Sequence, residues 1–202
     1  MFVQVIQGPV SDPEGMRAAL DRWAADLAPG AQGWLGTAAG VTDDGVAIAV
    51  TQFESEEAAR RNNDRPEQDR WWAETARLFS GEVTFRDSAS AVVDMVGDAD
   101  EAGFVQVIEG QGTDPDRSRQ LMAQETGEWA EYRPDILGTV GAQHDDGAFT
   151  MAVFFTSEED AREAERQELP PRLKAQMDEM NALSVGAPQY FDLRQPWLYS
   201  PR

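Results

Sequence analysis

One short apolar segment occurs twice in this chain, and this repeat constrains the fold more than any other feature. Residues 2–6 read FVQVI, and residues 104–108 read the same five letters, 102 positions later. Between residues 2 and 60, 22 of 59 positions are identical at this offset, whereas average composition accounts for about 4 matches. The repeat predicts that the chain of 202 residues contains two copies of one unit.

The repeat also sets the predicted domain boundaries. We predict a first copy over residues 1–95, an acidic linker over residues 96–103 and a second copy over residues 104–202, which ends in an aromatic tail. The linker combines acidic residues with Gly and Ala, a composition typical of connecting segments. Beyond Arg60 the offset between the copies becomes 105, so the second copy has gained three residues within its second helix.

Four strands are predicted in the first copy. Runs rich in β-branched and aromatic residues predict them over residues 2–8, 34–41, 46–53 and 82–86. The Asp-Asp-Gly sequence at residues 43–45 favours a tight hairpin turn between the second and third strands. The sequence leaves open whether the fourth strand extends toward Val93.

Two helices are predicted between these strands. Asp12 caps the first helix, and an apolar stripe at helical spacing continues to Leu27. Ser55 caps the second helix, which restarts at Pro66 and runs to Phe79. The second copy repeats the same order of elements, and its first helix is predicted from residue 115 to about residue 129.

The order β-α-β-β-α-β is that of a ferredoxin-like unit, so the predicted fold class is α+β. In such a unit two helices cover one face of a four-stranded antiparallel sheet. Alternation along the first strand makes the second face apolar too, because Phe2 and Ile6 point one way while Val3 and Val5 point the other. We therefore expect the two sheets to pack together into an intramolecular, pseudo-dimeric α+β barrel.

The charge balance excludes several classes of partner. The chain has 37 acidic and 17 basic residues, for a net charge of −20, so it repels phosphate backbones and anionic lipid. We expect no nucleic-acid partner and no membrane partner, and the sequence has no apolar run long enough to span a bilayer. Cysteine is absent and no secretion signal is evident, which predicts a cytoplasmic protein. Fusion of two copies predicts a monomer or a weak homodimer.

The paired β-α-β-β-α-β units, the FVQV openings and the tryptophan-bearing second helix resemble the dimeric α+β barrel superfamily. The closest resemblance is to its antibiotic-biosynthesis-monooxygenase-like branch, as a tandem fused repeat, and it covers residues 1–198. Members include cofactor-free oxygenases of polyphenolic substrates, haem degraders, haem-ligating enzymes and proteins of no known activity. The resemblance implies a small-molecule-binding protein, and within that class a cofactor-independent monooxygenase acting on an aromatic or polyphenolic substrate. The alternative is a non-catalytic binding or structural protein.

The same resemblance implies a set of catalytic residues. In the cofactor-free oxygenases an Asn and a Trp of the second helix and an Arg of the last strand line the cavity. The matching residue types here are Asn62 or Asn63, Trp71 or Trp72, and Arg86. The amide would stabilise an anionic intermediate, and the arginine would hold a phenolate. A tyrosine that often accompanies them has no match in the first copy, since all three tyrosines lie in the second.

Each candidate site residue could have a structural role instead of a functional one. Helical spacing places Trp72 and Phe79 on the inner face of the second helix and Trp71 at its edge, where they either anchor the helix or wall a pocket for a flat ligand. The Asn62-Asn63 pair either forms a turn before Pro66 or donates hydrogen bonds to an oxyanion. The predicted substrate-binding residues are Trp71, Trp72, Phe79 and Gln4, of which Gln4 either pairs across the sheet or reaches a ligand.

Histidine usage bears on cofactors. His144 is the only histidine, and it aligns with Thr42 beside the hairpin turn, where an exposed side chain is expected. A haem-binding member of the superfamily needs an axial ligand on a helix that faces the pocket. We therefore expect no cofactor, and we find no clustered carboxylate pattern that predicts a metal site.

Overall fold

The computed structural model describes residues 1–122 and 127–201. The chain divides into two compact units. Unit 1 comprises Met1–Ala91 and Leu193–Arg202, and unit 2 comprises Val92–Asp192.

The predicted β-α-β-β-α-β order is present in both units, and each sheet has one further strand. The strands are β1 (Phe2–Pro9), β2 (Trp34–Val41), β3 (Val46–Phe53), β4 (Thr84–Ser88), β5 (Ser90–Met95), β6 (Phe104–Gln111), β7 (Ile136–Gln143), β8 (Ala148–Phe155), β9 (Gln189–Leu193) and β10 (Trp197–Tyr199). The helices are α1 (Pro13–Arg22), α2 (Glu56–Asn63), α3 (Pro66–Thr75), α4 (Pro115–Met122), α5 (Gly127–Tyr132), α6 (Glu158–Glu165) and α7 (Pro171–Ala182).

These elements form two antiparallel five-stranded sheets, which confirms the predicted α+β class. The strand order is β10-β2-β3-β1-β4 in the first sheet and β5-β7-β8-β6-β9 in the second. Each sheet has two edge strands, so neither closes on itself. The described strands therefore form two open sheets rather than one closed barrel, and the packing of one sheet against the other stays a prediction.

Each sheet has a fifth strand that the repeat did not predict. The chain does not extend β4 toward Val93 but forms the separate strand β5, at the edge of the second sheet. The aromatic tail forms β10, which pairs with β2 through Trp197–Ala39 and Tyr199–Thr37. The predicted domain boundaries follow the repeat in sequence, whereas the compact units follow contacts in space, and the repeat boundaries stay a prediction.

Capping residues begin the helices of unit 1 as expected. The Asp12 side chain accepts a hydrogen bond from the Gly15 amide at 2.9 Å, and the Ser55 hydroxyl accepts one from the Ala58 amide at 3.2 Å. Helix α1 continues beyond Arg22 into a wider π turn over Trp23–Leu27. These helices cover one face of the first sheet, and Trp23, which is buried, packs there against Phe53 and its neighbours.

Two expectations for the second copy have different outcomes. The prediction that His144 is exposed is wrong: the residue is buried, and its Nε2 lies 3.0 Å from the hydroxyl of Thr150 on β8. That hydroxyl gives the ring a polar partner, which is what allows an imidazole to be buried. The predicted first helix is present as α4 and α5, and the part of it over residues 123–126 lies outside the described residues.

Candidate functional site

The helices of unit 1 leave part of the sheet uncovered. Gln4 and Ile6 of β1 pair with Thr51 and Ala49 of β3, and both strands are flanked by other strands. The four side chains face the helices, yet they are only half-buried. A groove therefore runs between the sheet and helices α1 and α3, and we call it the helix–sheet groove.

The groove contains two adjoining cavities that share Ile6, Leu20, Ala49 and Trp71. One, of about 60 Å³, carries most of the polar groups, and we call it the polar cavity. The other, of about 40 Å³, is lined almost entirely by apolar atoms, and we call it the apolar cavity. The polar cavity is lined by several polar side chains, Gln4, Thr37, Thr51, Asn62, Asn63, Gln68 and Tyr199.

Asn62 is the most deeply buried amide of the polar cavity. It is 4% exposed at the end of α2, and its Oδ1 accepts a hydrogen bond from Arg65 Nη1 at 3.0 Å. A guanidinium can only donate, so this contact fixes the amide orientation and leaves the NH₂ group as the donor toward the cavity. The charge of Arg65 polarises the amide and strengthens that donor. Asn63 also lines the cavity but is exposed.

Trp71 forms the wall between the two cavities. Its indole nitrogen donates a hydrogen bond to the carbonyl oxygen of Ala19 at 2.9 Å, which fixes the ring relative to α1. The neighbouring Trp23 donates its indole N–H to Gln68 Oε1 at 2.7 Å. The ring centroids of Trp71 and Trp23 are 6.4 Å apart, so the two indoles form one aromatic wall. The sequence did not predict that Trp23 lies beside a cavity.

Gln4 lines the polar cavity and is also paired within the sheet. Its Nε2 donates to Asp87 Oδ1 on β4 at 3.0 Å, which leaves its Oε1 as an acceptor. In unit 2 the corresponding Gln106 makes the same bond to Asp192 at 2.8 Å and is buried. The Gln–Asp pair is therefore a recurring feature of the fold, and in unit 1 the glutamine also lines the polar cavity.

Tyr199 brings a phenol to the polar cavity, although the sequence of the first copy contains no tyrosine. Strand β10 brings it to the polar cavity, where its hydroxyl donates a hydrogen bond to Asp21 Oδ1 on α1 at 2.8 Å. Burial, followed by the hydrogen bond to Asp21, raises the pKa of Tyr199 above its ordinary value. The phenol therefore stays neutral at physiological pH. Sequence reasoning missed this residue because nothing in the tail indicates that it pairs with β2.

The apolar cavity is built from aromatic and aliphatic side chains. Trp72 and Phe79 line it, as predicted for the inner face of the second helix, and their ring centroids lie 6.1 Å apart. Trp197 of β10 closes it, and Met16 of α1 contributes to the wall. Thr75 supplies a hydroxyl and is 2% exposed.

The structure does not bring Arg86 to these residues. On β4, Asp87 lies opposite Gln4 and Phe85 lies opposite Ile6, so these two side chains share the face of the groove. Arg86 lies opposite Val5 and therefore points to the other face of the sheet. The remaining predicted residues do come together: Gln4, Asn62, Asn63 and Trp71 around the polar cavity, and Trp71, Trp72 and Phe79 around the apolar one.

Unit 2 differs from unit 1 at the positions that form the groove. Ala49 and Thr51 correspond to Met151 and Val153, which occupy more apolar volume on the same face. On the helices, Asn62 corresponds to Ala164 and Trp71 to Gln176. The groove residues of unit 1 are thus not general requirements of the repeat.

No protein-family model matches the chain, and no curated protein matches it. Solved structures with the same fold do exist. A candidate monooxygenase from Lactobacillus acidophilus is 12% identical with a TM-score of 0.76, covering 98% of this chain and 95% of its own. A candidate monooxygenase from Fusobacterium nucleatum is 9% identical with a TM-score of 0.76, covering 98% and 94%. An anthrone oxidase-like protein is 14% identical with a TM-score of 0.62, covering 98% and 93%.

Because these identities are low, the likeness establishes the fold alone. The chain has the same α+β ferredoxin-like fold as these solved structures, which confirms the resemblance at the level of architecture. Within residues 1–122 and 127–201, no helix is long and apolar enough to cross a membrane. The same residues contain no group of three or more His, Cys, Asp or Glu side chains placed to hold a metal ion.

Proposed function

We propose that unit 1 binds a small aromatic molecule in the helix–sheet groove and oxidises it with dioxygen, without a cofactor. The observation that carries the proposal is the pairing of Asn62 with Arg65 beside Trp71. Arg65 holds the amide oxygen at 3.0 Å, so a polarised NH₂ group is available in a largely apolar groove. Such a preorganised donor stabilises negative charge on a bound phenol oxygen.

The chemistry that fits this site uses the electrons of the substrate itself. A phenolic aromatic with an acidic C–H group loses a proton to solvent, and the Asn62 amide stabilises the resulting anion by donating a hydrogen bond to the negatively charged oxygen of the substrate. The carbanion carbon bonds to dioxygen and forms a peroxide, which takes up one proton. Loss of water then converts the original CH₂ group into a carbonyl, so one methylene and one dioxygen give one carbonyl and one water. No external reductant is needed.

The similar structures support this proposal by their names alone. Two are described as candidate monooxygenases and one as anthrone oxidase-like. An anthrone is a multi-ring aromatic ketone with an activated methylene group, the substrate class that the reaction above requires. The transfer of this class to the present chain is our proposal.

A non-catalytic binding protein is the second candidate, and the position of Arg86 favours it. Among the described residues that line the two cavities, none is a lysine or an arginine. A bound phenolate is therefore stabilised by Asn62 and, more distantly, by the charge of Arg65, rather than by a direct ion pair. A groove of this kind also suits a neutral aromatic ligand that is held but not oxidised.

Two measurements with dihydroxyanthrone separate oxidation from binding alone. Quenching of tryptophan fluorescence in a titration measures binding, and oxygen uptake measures oxidation. Asn62→Asp keeps an oxygen for Arg65 but replaces the donor with a negative group, so it should lower both affinity and uptake at least about tenfold. Asn181→Asp makes the same charge change at an exposed position in unit 2 and should change neither. Saturable quenching without oxygen uptake above the uncatalysed rate would establish the binding function. Absence of saturable quenching with a panel of polyphenols would refute both functions.

Location and assembly stay predictions from composition. The acidic, cysteine-free sequence predicts a cytoplasmic protein, and the fused repeat predicts a monomer or a weak homodimer. Light scattering over a range of protein concentrations measures the molecular mass in solution and so distinguishes a monomer from a weak homodimer.

A further inference from the structure

The apolar cavity has one polar feature that the fold does not explain. Thr75 lies at the end of α3 and is 2% exposed, and its Oγ1 has no hydrogen-bond partner among the described residues. A threonine within a helix commonly donates to the carbonyl four residues earlier, here that of Trp71, but this bond is not made. Leaving a buried hydroxyl unpaired destabilises the protein, so the position requires an explanation.

The repeat shows that the fold itself does not need this hydroxyl. At the shifted offset, Thr75 corresponds to Met180 on α7 of unit 2. An apolar side chain therefore serves at the equivalent place in the second unit. The hydroxyl of Thr75 belongs to the groove of unit 1 rather than to the packing of the unit.

Size and polarity restrict what the apolar cavity can hold. At about 40 Å³ it is the smaller of the two cavities, and its lining is the more apolar. A buried water is held by two to four polar partners, and Thr75 is the only hydroxyl among the lining residues that the structure describes. Apolar cavities take up small apolar molecules such as xenon. A small apolar gas therefore suits the apolar cavity better than water does.

We infer that the apolar cavity is a dioxygen subsite, in which the Thr75 hydroxyl donates a hydrogen bond to the oxygen as it is reduced. This inference rests on the proposed oxidation in the adjoining polar cavity, which shares Trp71, Ile6 and Ala49 with the apolar one. When the substrate carbanion forms its C–O bond, two electrons pass to dioxygen and the distal oxygen becomes negative. Thr75 stabilises that charge by a hydrogen bond and keeps its own proton, and the peroxide then takes a proton from solvent.

Two substitutions of Thr75 separate the role of the cavity volume from the role of the hydroxyl group. Thr75→Met introduces the side chain of unit 2 and fills the cavity, whereas Thr75→Val keeps the shape and removes only the hydroxyl. Xenon NMR on the whole protein is expected to detect binding in the wild type and in Thr75→Val, and none in Thr75→Met. In oxygen-uptake assays, Thr75→Met should raise the KM for dioxygen at least about tenfold. Thr75→Val should leave that KM within about twofold and lower kcat about tenfold or more.

The outcomes distinguish this inference from the proposed function. A wild type that oxidises its ligand but binds no xenon overturns the dioxygen subsite alone, and so does an unchanged KM for dioxygen in Thr75→Met. A wild type that binds xenon but consumes no oxygen with any aromatic ligand overturns the proposed oxidation, and the assignment to dioxygen with it. Circular dichroism of both variants confirms that they fold.

Discussion

The indole nitrogen of Trp71 and the carbonyl oxygen of Ala19 are 2.9 Å apart and hydrogen-bonded, which joins helix α3 to helix α1 across the groove. Trp71 therefore has a structural role and a place in the candidate site at once. The ring is half-buried and lines both cavities. Its neighbour Trp72 lines only the apolar cavity.

This bond predicts different stabilities for two otherwise equivalent substitutions. Trp71→Phe removes the hydrogen bond to Ala19 and part of the ring, and it should lower the free energy of unfolding by about 1–2 kcal/mol. Trp72→Phe is the matched control, because its indole donates no hydrogen bond to the described residues, and it should cost less than about 1 kcal/mol. Urea unfolding followed by circular dichroism measures both. Equal losses would show that the bond to Ala19 contributes nothing to stability.

The difference between the two units predicts how to close the groove. Ala49→Met installs the residue that unit 2 carries at this position, and the longer side chain should occupy the space shared by both cavities. Ligand affinity should fall at least about tenfold, while the free energy of unfolding should change by no more than about 1 kcal/mol, because the side chain fills existing space. Ala18→Met, at an exposed position on α1, is the control. Unchanged affinity in Ala49→Met would place the ligand outside the helix–sheet groove.

Tyr199 predicts a pH dependence with a definite sign. Burial, then the hydrogen bond to and charge of Asp21, raise the pKa of this phenol in the folded protein, so the folded state holds the proton more tightly than the unfolded chain. The resulting stability is complete below pH 10 or so, where both states are neutral, and is lost as the pH rises further and the unfolded chain ionises first. Tyr199→Phe should therefore cost about 1 kcal/mol near neutral pH and progressively less in more alkaline solution.

The measurement is urea unfolding of wild type and Tyr199→Phe over a series of pH values. Tyr190→Phe is the control, because Tyr190 is 59% exposed. A difference between wild type and Tyr199→Phe that stays constant through the alkaline range would contradict the expected linkage.

The strand register predicts that Arg86 is dispensable for ligand binding. Arg86 shares a sheet face with Val5, away from the groove, so Arg86→Gln should leave ligand affinity within about twofold. Asn62→Asp serves as the comparison in the same titration and should weaken binding. A large loss in Arg86→Gln would require the ligand to contact the opposite face of the sheet, in agreement with the role implied by the resemblance.

The sequence predicted the fold well because its main signals are local and repeated. The FVQVI openings, the Ser55 cap and the Asp-Asp-Gly turn all specify short-range geometry, and the same elements form in both units. The two additional edge strands were not predictable in this way. The tail at Trp197 has no equivalent in the first copy, and its pairing with Ala39 joins positions that are far apart in the chain.

The site was predicted in part, for a similar reason. Helical spacing is enough to place Trp72 on the inner face of α3, and the structure agrees. Phe79 also lines the apolar cavity, but the prediction that the helix runs to this residue is wrong, because α3 ends at Thr75 and Phe79 has an extended backbone. The face on which Arg86 lies depends on the register of β4 against β1, and a shift of one residue reverses it. The phenol of Tyr199 and the orphan hydroxyl of Thr75 were missed because each depends on which partners tertiary packing supplies.

Strand β10 also gives the protein an order of assembly. The ribosome finishes residues 1–91 early, but the strand that completes the first sheet emerges only after the whole of unit 2 has been made. Until then β2 is an unprotected sheet edge, and both cavities lack the wall that Trp197 and Tyr199 supply. The helix–sheet groove is thus completed only after the tail has been translated, because two of its lining residues lie on the last strand.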